Sequence, residues 1–265
     1  MTTELLSSPD ADVLHHRDVR GVHTLTLNHP ASFNTLSEAV ILAMQHALQR
    51  VAADDAARVV VLAATGKAFC AGHNLKEMRA QPTLTYYQQL FSQCTRMMLT
   101  IQNLPVPVIA RVQGIATAAG CQLVAQCDLA VAVDTARFGV NGIDVGLFCA
   151  TPSVPLSRNL GAKQAMEMLL TGEFLNATQA MQGGLINRIC AVDGLDSEVE
   201  CLVSAILLKP REAVRMGKAL FYKQREMGIE AAYQLAGQTM ACNMTHPVAQ
   251  EGVQAFIEKR KPQWL

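Results

Sequence analysis

The chain has 265 residues, of which half are apolar and 17% are charged, so it is long and apolar enough to bury a large core. Lysine and arginine together number 22, as do aspartate and glutamate, so no overall field attracts nucleic acid or an anionic membrane. No run reaches the roughly 18 apolar residues of a membrane span. The first residues, MTTELLSSPDADVLHH, have neither an apolar signal core nor an Arg-rich transit pattern.

The cysteine and histidine spacings indicate the compartment and argue against a metal. The eight cysteines include no CxxC pair, and Cys121, Cys127 and Cys190 lie in or beside apolar runs. This pattern is typical of reduced, buried thiols, and together with the N-terminal pattern it predicts a cytoplasmic protein. The seven histidines form no HxxxH pair, so we predict no metal site.

The first half of the chain alternates between strand and helix patterns. Strands are predicted at 21–28 (GVHTLTLN), at Val59–Ala64, in PVIARVQG and in DLAVAVD. Helices are predicted at 36–53, at 83–103 and, as a short helix, before DLAVAVD. The prolines of LPVP end the second of these helices, because proline has no N–H to donate.

The second half is mostly helical in pattern. Residues 161–171 and 177–184 are predicted helices, INRICAV is a short strand, and the chain from about 195 onward has helical spacing. Alternating strands and helices favour the α/β class, and the economical reading is one continuous domain with a helical extension.

Two segments share one design. KAFCAGHNLKEM (67–78) and QGIATAAGCQL (113–123) each run from a strand through small residues into the start of a helix. The first N–H groups of a helix have no intrahelical partner, and the helix dipole adds positive potential there. Two such ends facing one point would form an oxyanion hole. Small residues at these places are also explained by a turn or by close packing, and neither segment matches a phosphate-binding glycine motif.

Read together, several segments resemble the crotonase (enoyl-CoA hydratase/isomerase) superfamily, and most closely its enoyl-CoA hydratase domain-containing branch. The matching segments occur in family order from about residue 18 to the end: LNHPASFNTL, KAFCAGHNLKEM, PVPVIARVQGIATAAGCQLVAQCDLAVA, FGVNGIDVGL, LTGEFLNATQAMQGGLINRI and EGVQAFIEKRKPQW. The resemblance implies a crotonase (ClpP-like) α/β spiral of ββα units over residues 1–200. It also implies a helical region over 201–265 that packs on the core and on neighbouring subunits of a homotrimer, or of a dimer of trimers.

The resemblance further implies an acyl-CoA thioester as the ligand, with coenzyme A as part of the substrate and no separate cofactor. Its oxyanion donors fall on the backbone N–H groups of His73 and Ala119. The expected substrate-binding residues are Phe33, Ala71, Gly72, Asn74, Leu75, Lys76, Gly120, Phe256 and Lys259. The alternative interpretation of Lys76 and Lys259 is that they are ordinary solvated lysines. The alternative for Phe256 is that it is a packing anchor.

The chain departs from the family's hydratases at both catalytic glutamates. The first position holds Gln122, which can hydrogen-bond or orient a water but cannot act as a general base. The second holds Gly142, which has no side chain. A general acid or base typically contributes about 10²–10⁴-fold. We therefore expect slow hydration unless another group substitutes.

Several residues are candidate substitutes. Asp144 would share a face with Gly142 in an extended strand, although an aspartate there is also explained by structure. Cys149 and Thr151 follow shortly after, and a cysteine near an oxyanion hole can act as a nucleophile, but no base partner is evident from the sequence. His73 would place an imidazole beside the thioester, as a catalytic group or only to shape the site.

Three functions remain open at this stage. The first is an acyl-CoA lyase of enoyl-CoA hydratase type. The second is other enolate chemistry in the same scaffold, namely decarboxylation, isomerisation or thioester hydrolysis. The third is an acyl-CoA-binding protein without turnover.

Overall fold

The structure, a computed structural model, describes residues 3–8 and 11–264. Within these residues the strands form two sheets. In spatial order the larger sheet contains β1 (Thr3–Leu5), β2 (Val13–Asp18), β3 (Val22–Leu27), β4 (Val59–Ala64), β6 (Val108–Val112), β8 (Leu129–Val133) and β11 (Arg188–Cys190). The smaller sheet contains β10 (Leu175–Asn176), β9 (Arg137–Gly139), β7 (Ile115–Thr117) and β5 (Ala68–Cys70).

Successive strands from β4 to β9 alternate between the two sheets. Strands β4, β6 and β8 lie side by side and parallel in the larger sheet. Strands β5, β7 and β9 are their parallel counterparts in the smaller one. One or more helices follow each pair of strands, so the chain winds as a spiral of ββα units. The expected fold is confirmed.

The helices cover both faces of the larger sheet. Their bounds are α1 Glu38–Ala53, α2 Leu75–Ala80, α3 Leu84–Asn103, α4 Ala119–Gln126, α5 Ala150–Asn159, α6 Ala162–Thr171, α7 Ala177–Gly183, α8 Leu195–Leu207, α9 Arg211–Gln224, α10 Ile229–Thr245 and α11 Pro247–Ile257. Helix α1 packs on β2, β3 and α3, whereas α8 packs on β4, β6, β8 and β11. The core between these layers is apolar, with Leu25, Met44, Val60 and Met97 fully buried.

The predicted elements are found close to their expected bounds, and Val59–Ala64 matches residue for residue. Among the elements that were not anticipated are β2 and α5. Strand β2 pairs antiparallel with β3, and its buried residues include the polar His15, which hides the apolar alternation. Helix α5 contains Pro152 and Pro155, residues that a sequence pattern assigns to loops.

The C-terminal helices are attached to the core by a buried ion pair. Lys218 of α9 lies 2.7 Å from the carboxylate of Asp128 and also donates to the backbone carbonyls of Ile101 and Val106. The hydroxyl of Tyr222, one turn later, donates to the same carboxylate at 2.8 Å. The boundary predicted between residues 200 and 201 falls inside α8.

Residues 3–8 and 11–264 contain neither a candidate membrane span nor a cluster of metal ligands. No helix there combines the length and the apolar character needed to cross a membrane. The same residues contain no group of three or more metal-ligating side chains.

Candidate active site

A cavity of about 290 Å³ lies where three segments of the chain meet. The segments are the loop from β5 into α2, the turn from β7 into α4, and residues 141–152. Apolar side chains form most of its wall, among them Leu75, Met78, Phe91, Val145, Leu147 and Phe148. No lysine, arginine, aspartate or glutamate of the described chain lines it. The cavity therefore suits an apolar group and holds no charged side chain to act as acid or base.

The backbone N–H of His73 is free to bind a ligand. His73 forms an isolated parallel bridge with Leu36. In that bridge Leu36 donates to the carbonyl of Gly72 at 2.7 Å and accepts from the N–H of Asn74 at 3.4 Å. Bonding through the two flanking residues turns the N–H of His73 away from Leu36. We find no acceptor for it among the residues described.

The N–H of Ala119 is the second free donor. Ala119 is the first residue of α4, so its N–H has no intrahelical partner. The preceding residue, Ala118, has φ 50° and ψ −121°, and its own N–H donates to the carbonyl of Gly139 at 2.9 Å. A positive φ in alanine costs about 1–3 kcal/mol, a strain that clusters at functional sites.

Gly72 brings the two donors together. Its φ is +87°, and a Cβ built on it would lie 2.8 Å from the Cβ of Ala118 and 3.3 Å from the nitrogen of Ala119. Only glycine combines this backbone with this approach. The two loops predicted as donor-bearing therefore touch at the residues that precede their free N–H groups.

The ring of His73 lines the cavity without a hydrogen bond. Both ring nitrogens are buried and make no well-aligned hydrogen bond among the residues described, although the backbone of Leu36 lies close enough to favour the protonated ring. The ring meets Phe91 edge to face, with centroids 5.5 Å apart. Burial lowers the pKa of His73, so its imidazole is neutral at neutral pH. A neutral imidazole can accept a proton at one nitrogen and donate one from the other.

Gln122 lies on α4 but does not line the cavity. Gln122 is 4% exposed, and its side-chain Oε1 has no hydrogen-bond partner in the described chain. Its backbone N–H bonds to the carbonyl of Ala118, in the first turn of the helix. A buried amide oxygen without a partner is energetically costly. It is available to a ligand or a water that reaches it.

Gly142 lines the cavity from a 3-10 turn, Asn141–Val145, and a side chain there has no room. A Cβ would lie 2.5 Å from the carbonyl oxygen of Leu147 and 2.7 Å from Sγ of Cys149. Cys149 is 6% exposed and lines the same wall, and burial raises the pKa of its thiol. Thr151 also lines the cavity, from the first turn of α5.

The other predicted site residues are placed around the cavity rather than together. Ala71 and Leu75 line it, whereas Asp144 is exposed and its carboxylate faces Gly172. Asn74 caps α2 by accepting from the N–H groups of Lys76 and Glu77.

Phe33 is 58% exposed, and its carbonyl accepts from the N–H of Ala71, which ties its loop to the cavity loop. A side chain at Gly120 would overlap the carbonyl of Cys70. Lys76 and Lys259 are exposed, as is Phe256 at the end of α11, and none of the three lines the cavity.

The sequence interpretation did not single out two polar residues of the cavity wall. The hydroxyl of Thr117 donates to Oδ1 of Asn141, and both residues line the cavity. They lie directly before Ala118 and Gly142. Their position next to the residues that the motifs mark is the signal that would have identified them.

Comparison with known proteins agrees with the spiral fold. The sequence profile of the family described as enoyl-CoA hydratase/isomerase matches residues 17–265. The chain belongs to this family, whose common name is the crotonase superfamily.

Solved structures and curated proteins include close relatives. The crystal structure of an enoyl-CoA hydratase from Mycobacterium smegmatis is 62% identical, with a TM-score of 0.95 over 96% of this chain and 99% of the other. Human enoyl-CoA hydratase domain-containing protein 3 is 40% identical in its crystal structure, with a TM-score of 0.92 over 96% of this chain and 100% of the other. The mitochondrial Xenopus laevis protein of that name is 42% identical over 92% of this chain and 83% of its own length.

The expectation of a cytoplasmic location is wrong. Vertebrate relatives at 40–42% identity are named mitochondrial proteins. The expectation depended on the reduced cysteines and on the pattern of the first residues. Reduced cysteines exclude oxidising compartments but do not choose among the others.

Proposed function

We propose that the protein binds acyl-CoA thioesters and holds the thioester oxygen with the N–H groups of His73 and Ala119. One observation carries this proposal: two unpartnered N–H groups, joined through Gly72 and Ala118, lie at the wall of an apolar cavity. Such donors stabilise negative charge that develops on the oxygen as the thioester becomes an enolate. Each typically lowers the barrier by about 2.7–4 kcal/mol.

The reaction we propose is of enoyl-CoA hydratase type, with slow hydration. Hydration of a carbon–carbon double bond needs a group that takes a proton from water and a group that returns one. The titratable side chains at the described cavity wall are His73 and Cys149. The first is neutral and the second keeps its proton at neutral pH, so neither equals a carboxylate held beside water.

A second candidate is enolate chemistry that starts without a carboxylate base. Loss of CO₂ from a malonyl-type thioester generates the enolate directly, and the two N–H groups would stabilise it. The absence of carboxylates from the described cavity wall favours this candidate, because a neighbouring anion would oppose the substrate's own carboxylate. Isomerisation and thioester hydrolysis belong to the same group of alternatives.

We also propose that the active assembly is a homotrimer, alone or as a dimer of trimers. Helix α10 exposes large apolar residues, with Ile229, Tyr233 and Met240 each at least 70% exposed. Burying such residues against a second copy is favourable. The exposed Phe256 and Lys259 would then meet coenzyme A bound to a neighbouring subunit, and Lys76 and Phe33 would meet it within the same subunit.

The test is the rate of crotonyl-CoA hydration by the purified protein and by Gln122→Glu. We expect little hydration by the unmodified protein and a gain in Gln122→Glu, because a carboxylate in place of this unpartnered amide oxygen can act as a base on a water that reaches it. Gln126→Glu makes the same exchange one turn later on α4 and should gain nothing. Gly142→Glu is unsuitable, because even its Cβ would collide with Leu147.

Malonyl-type and 3-enoyl thioesters assayed in parallel would separate the candidate functions. Turnover of either would assign the enolate chemistry to decarboxylation or isomerisation. Tight binding of every thioester with turnover of none would identify an acyl-CoA-binding protein. Rapid hydration by the unmodified protein would contradict the slow reaction proposed above.

A further inference from the structure

We propose that Cys149 is a nucleophile of this cavity, which adds to the β-carbon of 2-enoyl thioesters and holds them as a covalent adduct. The inference rests on the proposed function, because the thioester must first occupy the cavity. It adds a covalent step to the binding described above.

The position of Cys149 supports this role. The residue lines the cavity together with His73 and Ala119, whose N–H groups are free. Its Sγ lies 2.7 Å from the point that a Cβ on Gly142 would occupy, and Gly142 itself lines the cavity. The ring nitrogens of His73 are buried at the same cavity without well-aligned partners. The cavity thus combines a thiol, an unpartnered imidazole and two carbonyl-polarising donors.

The chemistry of the addition is balanced without a further reagent. The donors draw electron density onto the thioester oxygen, which makes the β-carbon of a 2-enoyl thioester electrophilic. The sulfur–Cβ bond forms as the Cα=Cβ π bond breaks, and its electron pair becomes the enolate held by the two N–H groups. The proton that leaves the thiol ends on Cα. The product is a saturated thioether, and the reverse sequence releases the enoyl thioester.

The addition should be slow at neutral pH and faster in base. The thiolate is the attacking species, and burial raises the pKa of Cys149. Near its sulfur are the backbone of Gly142 and the thiol of Cys121 on α4, and the other titratable side chain that lines the cavity is His73. No charged side chain of the described residues lines the cavity to oppose the rise. Between pH 7 and pH 8 the rate should increase about tenfold, and it should still be rising at pH 9, as the thiolate fraction does.

The experiment is intact-protein mass spectrometry after incubation with crotonyl-CoA, followed by peptide mapping. We expect one crotonyl-CoA adduct per chain, located on Cys149 and absent from Cys149→Ser. Removing the two exposed thiols in Cys201→Ser/Cys242→Ser should leave the adduct unchanged. Butyryl-CoA, which lacks the double bond, should form no adduct and should slow the reaction with crotonyl-CoA by competition.

The binding of butyryl-CoA, measured by calorimetry, separates the two proposals. Binding without a crotonyl adduct, or an adduct only on Cys201 or Cys242, would overturn the role of Cys149 alone. Absence of both binding and adduct would overturn this inference together with the proposed function. A Cys149 adduct whose rate does not change between pH 7 and pH 9 would contradict attack by a thiolate of raised pKa.

Discussion

The sulfur of Cys149 lies 2.7 Å from the point that a Cβ on Gly142 would occupy. The carbonyl oxygen of Leu147 lies 2.5 Å from the same point. Glycine at 142 is therefore required by the packing of the segment from Asn141 to Cys149. The chain lacks a glutamate at this position. In addition, Sγ of Cys149 and the carbonyl oxygen of Leu147 occupy the space that the Cβ of any side chain would need.

Gly142→Ala should lower the free energy of unfolding by about 1–3 kcal/mol, the usual cost of overpacking. Adding Cys149→Ala should restore only part of the loss, because the carbonyl of Leu147 remains. Urea denaturation measures both effects. Gly217→Ala is the matched control, since nothing lies within 4 Å of a Cβ there, and it should stabilise α9. A Gly142→Ala variant as stable as the unmodified protein would show that the segment is free to move.

Gly72→Ala should weaken binding of acyl-CoA as well as stability, because the new Cβ would push Ala118 and hence the N–H of Ala119. Gly146→Ala is a sharp control: its φ of +79° is similar, but no atom lies within 4 Å of a Cβ. The Gly146→Ala variant therefore has the conformational cost of a positive φ without a steric clash at the new Cβ. Titration of butyryl-CoA by calorimetry should show at least tenfold weaker binding for Gly72→Ala alone. Equal losses in both variants would mean that strain, not the donor geometry, decides affinity.

Much of the fold follows from the sequence because its elements are regular. The run Val59–Ala64 is buried at every position, and α3 has apolar residues at helical spacing, so both follow from periodicity. Helix α5 does not, because Pro155 lies inside it and has no N–H to donate to the carbonyl one turn earlier.

The sequence also predicted the two N–H donors, by resemblance, at the places where the structure leaves N–H groups unpartnered. It could not predict that Asp144 faces Gly172, because Asn141–Val145 is a 3-10 turn and not the strand for which side chains alternate. The closeness of Cys149 to Gly142 likewise depends on how that turn folds back, which no local pattern specifies.

The contact between Lys218 and Asp128 should be a major stabilising link of the C-terminal helices. Lys218→Met leaves a largely buried carboxylate without its cation, a change that typically costs about 3–5 kcal/mol. Lys223→Met, on the exposed side of the same helix, should change stability little. Thermal unfolding of the two variants measures the difference. Equal melting temperatures would contradict an anchoring role for the buried pair.

A buried histidine pair outside the cavity should make the fold sensitive to acid. Arg50 donates to Nδ1 of His15, whose Nε2 lies 2.9 Å from Nδ1 of His23, and His23 in turn lies 3.0 Å from Asp54. Burial, then His23 and Arg50, lower the pKa of His15 from 6.5 to about 4. As the pH falls, His15 of the unfolded chain therefore takes up a proton near pH 6.5, whereas His15 of the folded chain takes it up only near pH 4.

The stability that His15 contributes should be complete above about pH 6.5 and should fall as the pH is lowered toward 4. His15→Gln keeps an acceptor and a donor but does not titrate, so its free energy of unfolding should depend less steeply on pH in this window. His46→Gln, at an exposed position of α1, should keep the original slope. Chemical denaturation at several pH values provides the comparison. Identical slopes for all three proteins would exclude His15 as the titrating group.

The central claim is that the N–H groups of His73 and Ala119 bind the thioester oxygen. The most direct test is the infrared difference spectrum of butyryl-CoA labelled with ¹³C at the thioester carbonyl, recorded free and bound to the protein. Two hydrogen bonds weaken the carbonyl bond, so we predict that its stretch moves to lower wavenumber on binding, and that Gly72→Ala reduces the shift. A bound thioester whose carbonyl stretch is the same as in water or higher would contradict the account.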